Sequence, residues 1–430
     1  TTAKPVLALM QRSDARDVDT DAATHDYATT PYFSLDAPRG VVLHYSSATA
    51  RPSAEIHVDA VVRSSQIPTA ISIRVTRSDT IVVFPERFFQ GDTGVLRLAA
   101  KFDDSCGGAS ACAKLYRVAV RAYYGNASTF ETDSLPSVRV LIQDESASRL
   151  GAGWTMAGVE RLHVQSDGIV VTNGAGLLEY FAKTGCTGSA ATEACDYASP
   201  VGDLSVLKRT PAHPLYATRF FRAYKNGDTT YFDNTGLVRR IRTRFAAAAT
   251  RFAWSTDSVG ARVDTIVDPL GKAIRLAYEP LSGATYRNGS LRWITLPDSR
   301  ATGVRVSNAM GDLTRIDGPD GVADLVSTYD ASSHRLSTFT LRVGGGAIAY
   351  DAYDRVAKVS GVAVALEAGG TGADSILYHA RIKRTLTGSS ATYGSVTTKP
   401  LRADSAFSRS ISSNGAEVSL WTHALGGPAM

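Results

Sequence analysis

The groups in this chain that could do chemistry are four cysteines, eight histidines and one acidic triplet, and their spacing decides what that chemistry would be. The cysteines fall into two local pairs: Cys106 with Cys112 across the Gly-rich insert GGASA, and Cys186 with Cys195 across TGSAATEA. Three connectivities exist for four cysteines. The short separations favour 106–112 and 186–195, each closing a small loop for roughly 2–3 kcal/mol; the alternative is four free thiols in a reducing compartment. Neither pair has the CxxC spacing or a histidine a few residues away, so no metal is expected there. The triplet Asp17-x-Asp19-x-Asp21 has the beginning of a calcium loop, but Ala22 stands where such a loop needs Gly and Ala28 where it needs Glu, and a solvated acidic linker is the better reading. Histidines 25, 44, 57, 163, 213, 334, 379 and 423 are scattered, no two closer than 13 residues. His44 and His57 lie inside alternating strands, where a partnered or exposed residue is expected rather than a base.

Motif searches add no catalytic group. The chain has no Gly-x-Ser-x-Gly, P-loop, His-Glu-x-x-His or CxxC, and GAGWTMAG (151–158) follows no buried strand and has the wrong third spacing for a dinucleotide fingerprint. No catalytic residue and no cofactor are therefore expected, and the chain reads as a non-enzyme. Asn126 and Asn288 open Asn-x-Ser sequons, candidate glycosylation sites that mark surface loops.

The elements that would position these groups are strands. Residues 40–46, 55–63, 70–76, 80–84, 94–102, 115–124 and 137–143 are β-branched or aromatic runs divided by turn residues. In 115–124 (LYRVAVRAYY), Tyr116, Val118, Val120 and Ala122 share one face, while Arg117, Ala119, Arg121 and Tyr123 share the other. Seven such strands predict an immunoglobulin-like or fibronectin-like sandwich over about 31–144, with the 106–112 loop stapling strands 94–102 and 115–124 as a hairpin. The arm before it carries one apolar strand, KPVLALMQ (4–11), with no evident local partner.

Composition bounds the rest. A chain of 430 residues with 44% apolar and 20% charged residues folds as more than one globular unit. Forty-six basic against 41 acidic residues, with no run of four bases, is too balanced for a dedicated nucleic-acid binder. No stretch approaches eighteen consecutive apolar residues, and the opening TTAKPVLALMQ is no basic-then-apolar leader, so a soluble, secreted chain with no membrane span is expected.

From about residue 225 the chain repeats. Aligning Tyr231, Trp254, Tyr278, Val306, Tyr329 and Tyr350 gives steps of 23, 24, 28, 23 and 21 residues. Each unit reads strand, tight Asp/Asn/Gly turn, strand, second turn: a hairpin that must stack on its neighbours because it cannot bury its own face alone. Ala246–Ala249 breaks the pattern, since four alanines are a poor hairpin turn.

At these residues the chain resembles the RHS, or YD-repeat, family of secreted bacterial proteins, whose repeats carry a Tyr-Asp pair, a Gly-Arg-Leu-like strand and an Asp-Pro-x-Gly turn. The matching residues are Tyr329-Asp330, Tyr350-Asp351, His334-Arg335-Leu336 and Asp268-Pro269-Leu270-Gly271. SRLGAGWTMAGVERLHVQSDG (148–168) is similar to the Gly-, Trp- and Leu-rich segment before the repeats of such proteins, and the start of the 31–144 module resembles the amino-terminal region of large members. The resemblance implies a β-ribbon spiralling into a hollow shell, which in some members encloses a carboxy-terminal toxin. A Pro-rich self-cleaving boundary and a toxin domain have no counterpart in this sequence, so encapsulation is not expected of this polypeptide.

The expected protein is all-β: an extended arm (1–30), an Ig-like sandwich (31–144), a Gly/Trp-rich connecting region with a local disulfide (145–224) and a YD-repeat hairpin ribbon (225–430). Its expected function is that of a secreted or cell-surface β-scaffold with a structural role. A second reading is an extracellular filament subunit, in which Val6, Leu7, Leu9 and Met10 add a strand to a neighbouring copy. A third is a carbohydrate-binding adhesin using Trp254, Trp293, Tyr329 and Tyr350, although in a stacked ribbon such aromatics more often pack on the next hairpin and hydrogen-bond a turn. Expected partners are thus other copies of the chain, the remainder of a longer RHS chain, or glycans.

Overall fold

The computed structural model describes residues 7–11, 35–37, 41–45, 53–62, 67–78, 80–90, 94–124, 130–174, 177–189, 192–211, 218–244, 249–307, 311–331, 333–342, 344–350, 356–361, 364–365, 371–372, 375–379, 395–399, 405–411 and 417–423, with side chains described only within 56–349. The described residues contain strands and turns and no helix. Ten strands come first: β1 (Leu7–Gln11), β2 (Leu35–Ala37), β3 (Val41–Tyr45), β4 (Ser53–Val62), β5 (Ala70–Arg77), β6 (Val82–Gln90), β7 (Gly94–Asp103), β8 (Ala111–Tyr123), β9 (Phe130–Gln143) and β10 (Trp154–Met156).

Two sheets, in the orders β1-β4-β7 and β6-β5-β8-β9, enclose one core. Alternation supplies it. Ile56, Val58, Ala60 and Val62 of β4 lie under Ile71, Ile73 and Val75 of β5 and Tyr116, Val118 and Val120 of β8, all fully or nearly fully buried. Each such Val or Ile contributes about 1.5–3 kcal/mol relative to exposure. One polar anchor sits at the rim, where Asp104 accepts from Tyr116 (2.7 Å), Lys114 (2.8 Å) and Arg77 (3.1 Å). Burial works to raise that carboxyl, but these donors and the Ser105 amide outweigh it and hold it at about 2.

Three sequence expectations are corrected here. Strands β7 and β8 do not form a stapled hairpin; they belong to opposite sheets, and the 106–112 disulfide closes the loop that crosses between them. The strand expected at 40–46 does not join either sheet, because β3 pairs with β2 and with β10, a strand more than 100 residues further on. The arm does have a partner in its own chain: β1 pairs antiparallel with β4, Leu7 opposite Val62 and Gln11 opposite Val58.

From Arg161–Val164 to Glu417–His423 the chain forms a single sheet of 22 strands in which each strand is antiparallel to the one before it. The sheet runs without a break through residue 225, so the connecting region and the repeats share one structure. Its repeat is a β-bulge. The register shifts between Tyr231 and Phe232, Ala253 and Trp254, Ala277 and Tyr278, Arg305 and Val306, Thr328 and Tyr329, and Ala349 and Tyr350. In the first five of these units the residue after the shift faces a buried aliphatic: Phe232 opposite Val238, Trp254 opposite Val263, Tyr278 opposite Leu291, Val306 opposite Leu313, Tyr329 opposite Leu336. The first equivalent is therefore Phe232, one residue on from Tyr231. A bulge adds twist and bends its strand, so the sheet is bent at each of these positions.

Candidate functional site

Among the described residues this single sheet buries one face with no second sheet to cover it. Residues 144–162 supply the cover. Trp154, fully buried, together with Ala152, Met156 and Val159, joins a core that continues through Phe181, Phe220, Phe232, Phe252, Ile294, Ile316 and Phe339 to Ile348. This plug is fixed by the hairpin ends that gather around it. The Leu162 amide donates to Gly236 O (2.8 Å), the Ala152 amide to Gly311 O (2.8 Å) and the Leu291 amide to Arg149 O (2.7 Å). The Arg149 guanidinium donates to Gly289 O (2.8 Å) and Gly260 O (2.8 Å) and pairs with Asp257, whose carboxyl it holds at about 2. Trp154 Nε1 donates to the Tyr329 hydroxyl (2.8 Å). Connections at 236, 257–260, 289, 311 and 329 thus converge on one short segment. At Gly151, with φ at 112°, a Cβ would stand 2.6 Å from Leu313 Cβ and 2.7 Å from its nitrogen, so only glycine allows this approach.

The aromatics of the repeats are staples. Trp254 Nε1 donates to Val238 O, the Tyr278 hydroxyl to Val263 O and the Tyr329 hydroxyl to Leu313 O, each at 2.7 Å. Every acceptor is the carbonyl of the buried aliphatic that opens the preceding unit, not a turn. A bulge residue of one unit is thereby tied to the first core residue of the unit before it. His334 stands at the start of its strand where other units place Gly236, Gly289 and Gly311; like them it has positive φ, 56°. Its Nδ1 lies 3.3 Å from the carboxylate of buried Asp312, two strands earlier, and burial raises that carboxyl. A side chain that meets a partner offsets the strain a non-glycine residue carries there.

A buried charge cluster joins plug to sheet. Arg222 meets Glu179 (2.6 Å), Asp203 (3.0 Å) and Glu160 of the plug (3.9 Å), and its Nε donates to Ser205 Oγ (2.8 Å). The Phe181 and Tyr224 rings flank the guanidinium, and the Tyr224 hydroxyl donates to Glu160. Burial raises Glu160 and Glu179; at Asp203 burial also acts upward, but Ser205 and Arg222 outweigh it and hold the group low. At the joint with the two-sheet unit, burial pushes Glu145 up to about 7 against the pull of Arg161, while burial and Arg161 press His163 down to about 3. Arg139 crosses the joint to Asp167 (2.8 Å) and stacks 3.8 Å over Tyr180, and the Ala113 amide donates to Gln165 Oε1 (2.8 Å). The arrangement positions strands; its charges are arranged in pairs and clusters that hold elements together.

Both cysteine pairs, 106–112 and 186–195, form the favoured disulfides, as in a chain folded in an oxidising environment. Among the described residues one trio of metal-ligating atoms converges, Cys186, Glu193 and Cys195, and two of its three atoms are sulfurs bonded to each other. No described helix is long and apolar enough to cross a membrane. Leu7, Leu9 and Met10 lie in β1, whereas Val6, Asn126, the 17–21 triplet and Ala246–Ala248 lie outside the described residues, as does the Tyr350 side chain. Ala249 is buried. Asn288 is exposed in the turn before Leu291. Of the aromatics weighed for sugar stacking, Trp254 and Tyr329 are staples and Trp293 is exposed. Sequence reasoning missed Arg149, Glu160 and Arg222, because single charged residues far apart in the chain carry no periodic signal. No protein-family model matches the chain, and no curated protein matches it.

Proposed function

We propose that this protein is a secreted, non-enzymatic β-scaffold of the RHS or YD-repeat type, an Ig-like sandwich leading into a repeat ribbon whose one end is sealed by its own plug. The observation that carries this reading is the convergence of five hairpin ends on residues 144–162, which commits buried arginines and aromatics to shape. The repeat bulges, the Tyr-Asp positions and the paired disulfides agree with it. Negative-stain microscopy beside intact-mass analysis tests it: discrete particles support the scaffold, and a heavier native chain identifies this as the front portion of a longer shell.

A second reading, a self-assembling filament, is favoured by one observation. Strand β1 completes an edge of the β4 sheet at the far end of a connection, residues 12–34, so the same site accepts the β1 of a neighbour. Ala8 stands opposite Val61. A disulfide engineered by Ala8→Cys and Val61→Cys runs as single chains on a non-reducing gel if the strand stays at home, and as a ladder if copies exchange it. Fibres from a chain of 45.6 kDa, lost on deleting residues 1–12, would establish the filament.

A further inference from the structure

The second cysteine pair lies in a hairpin that holds its register without it. Strands Leu178–Thr187 and Ala194–Ala198 pair from Ala182 opposite Ala198 to Thr187 opposite Ala194, and Cys186 stands directly across from Cys195. The Thr184 hydroxyl, donating to Asp196 O (2.9 Å), ties the same two strands again. The ladder therefore keeps the two Cβ atoms opposite each other whether or not the sulfurs are bonded. The first pair differs, because Cys106–Cys112 closes a loop that crosses between sheets, with Cys112 in the two-sheet core. Cys186 is exposed and open to a thiol from solution, whereas Cys195 is buried.

A third ligand already faces the pair. Cys186, Glu193 and Cys195 bring two sulfurs and a carboxylate oxygen within 4.8 Å of one another, and Glu193 Oε1 lies 3.6 Å from Cys195 Sγ. Its other oxygen, Oε2, is held by Arg209, the cross-strand partner of Cys195 on strand Val206–Arg209. Arg209 thus fixes the carboxylate with one oxygen turned toward the sulfur, as an outer-shell partner does for a metal ligand. Arg209 Nε is buried and has no hydrogen-bond partner, a donor that a neutral disulfide leaves unused and an anionic site would draw on. The interval between the cysteines is no metal motif in the sequence; the hairpin register brings the sulfurs together instead.

We propose that reduction opens a metal site here, in which Cys186, Cys195 and Glu193 bind a thiophilic divalent cation such as zinc or cadmium, with a fourth position left to solvent. A dithiol supplies the two electrons. Its thiolate attacks Sγ of exposed Cys186, the S–S bond breaks, and Cys195 leaves as a thiolate beside the Arg209 guanidinium, which favours the anion. The second thiol of the reagent then displaces Cys186, so the reagent departs as a cyclic disulfide and its two protons pass to the two cysteines. The cation displaces those protons to solvent. Two thiolates and a carboxylate balance one guanidinium and a divalent cation, so the loaded site carries no net charge.

The test reduces the full chain with a phosphine, removes the phosphine without admitting oxygen, and titrates with Cd2+, reading the ultraviolet thiolate-to-cadmium absorption and the native intact mass. The reduced chain is expected to take up a single Cd2+ per chain and the oxidised chain none. Glu193→Gln and Arg209→Met should each weaken binding about tenfold or more. Joint replacement by Cys186→Ser and Cys195→Ser should abolish it, with circular dichroism unchanged from the parent because the ladder holds the hairpin. Affinity should fall as pH falls, since two protons must leave. Uptake retained in the double serine variant would place the metal at the other cysteine pair and overturn the proposal. Unchanged binding in Glu193→Gln would remove the carboxylate from the site. A pair that stays oxidised in the folded chain under excess phosphine, or no uptake at up to about 100 μM Cd2+, overturns it outright.

Discussion

The two-sheet unit and the ribbon bury their apolar residues by opposite means. In the first, two sheets cover each other, so every inward side chain of β4 finds partners on β5 and β8, and the core is almost wholly hydrocarbon. In the second, one sheet must be curved until its own strands and a short plug close over the inner face. Curvature comes from the bulges, but closure needs the hairpin ends fixed at a centre. Arg149, Arg222 and Trp154 do this with ion pairs and hydrogen bonds rather than with area alone. A facing pair of sheets therefore tolerates loss of a polar contact, whereas a single bent sheet depends on a few.

The sharpest way to break the comparison is at Arg222. Replacing it by Met leaves Glu160, Glu179 and Asp203 buried without their cation and should cost about 3–5 kcal/mol. Calorimetry is expected to show the ribbon transition falling while that of the two-sheet unit holds; both falling together would mean one cooperative fold. Next in size is the disulfide of the other region. Removing it with Cys106→Ser and Cys112→Ser should cost about 2–3 kcal/mol and lower the two-sheet transition selectively, because the cross-link shortens an unfolded loop that belongs to that unit.

A pH-gated effect sharpens the picture at the joint. The Glu145 carboxyl is raised from 4.5 to about 7 in the folded chain, so its burial is free of charge below pH 4.5 and increasingly destabilising as pH rises toward 7. Glu145→Gln should raise the melting temperature at pH 8 and leave it unchanged near pH 4. His163, lowered from 6.5 to about 3, acts the other way: stability is lost as pH falls through that window, because the unfolded chain takes up the proton first. A melting profile of His163→Gln should lose that acid slope. The smallest change expected is at a single staple: Tyr329→Phe removes both the bond to Leu313 O and the acceptor of Trp154, for about 1–2 kcal/mol, read by urea unfolding of the ribbon. No change there would mean that the staples follow the bend rather than hold it.

Much of this was legible in the residues. The alternation in 115–124 assigned Tyr116, Val118, Val120 and Ala122 to one face, and all four are fully buried. The period seen in Trp254, Tyr278, Val306, Tyr329 and Tyr350 marks the bulges to the residue. What the pattern did not reveal was why those positions recur, since a bulge is a relation between two strands and not a property of either. The plug was visible as a Gly- and Trp-rich segment, yet its partners lie about 75 to 175 residues further along.

By itself the sequence determined where strands form, which face of each turns inward, the repeat length and the pairing of the cysteines, because those depend on neighbours within a few residues or on short loop closures. Only the tertiary structure decided that β7 and β8 part to opposite sheets, that β1 returns to β4, that β3 leaves for β10, and that five hairpin ends meet the segment from Arg149 to Leu162. Apolar strands are nearly interchangeable as local partners. Which of them pair is settled by the free energy of the whole packed arrangement, including the buried charges that meet in it.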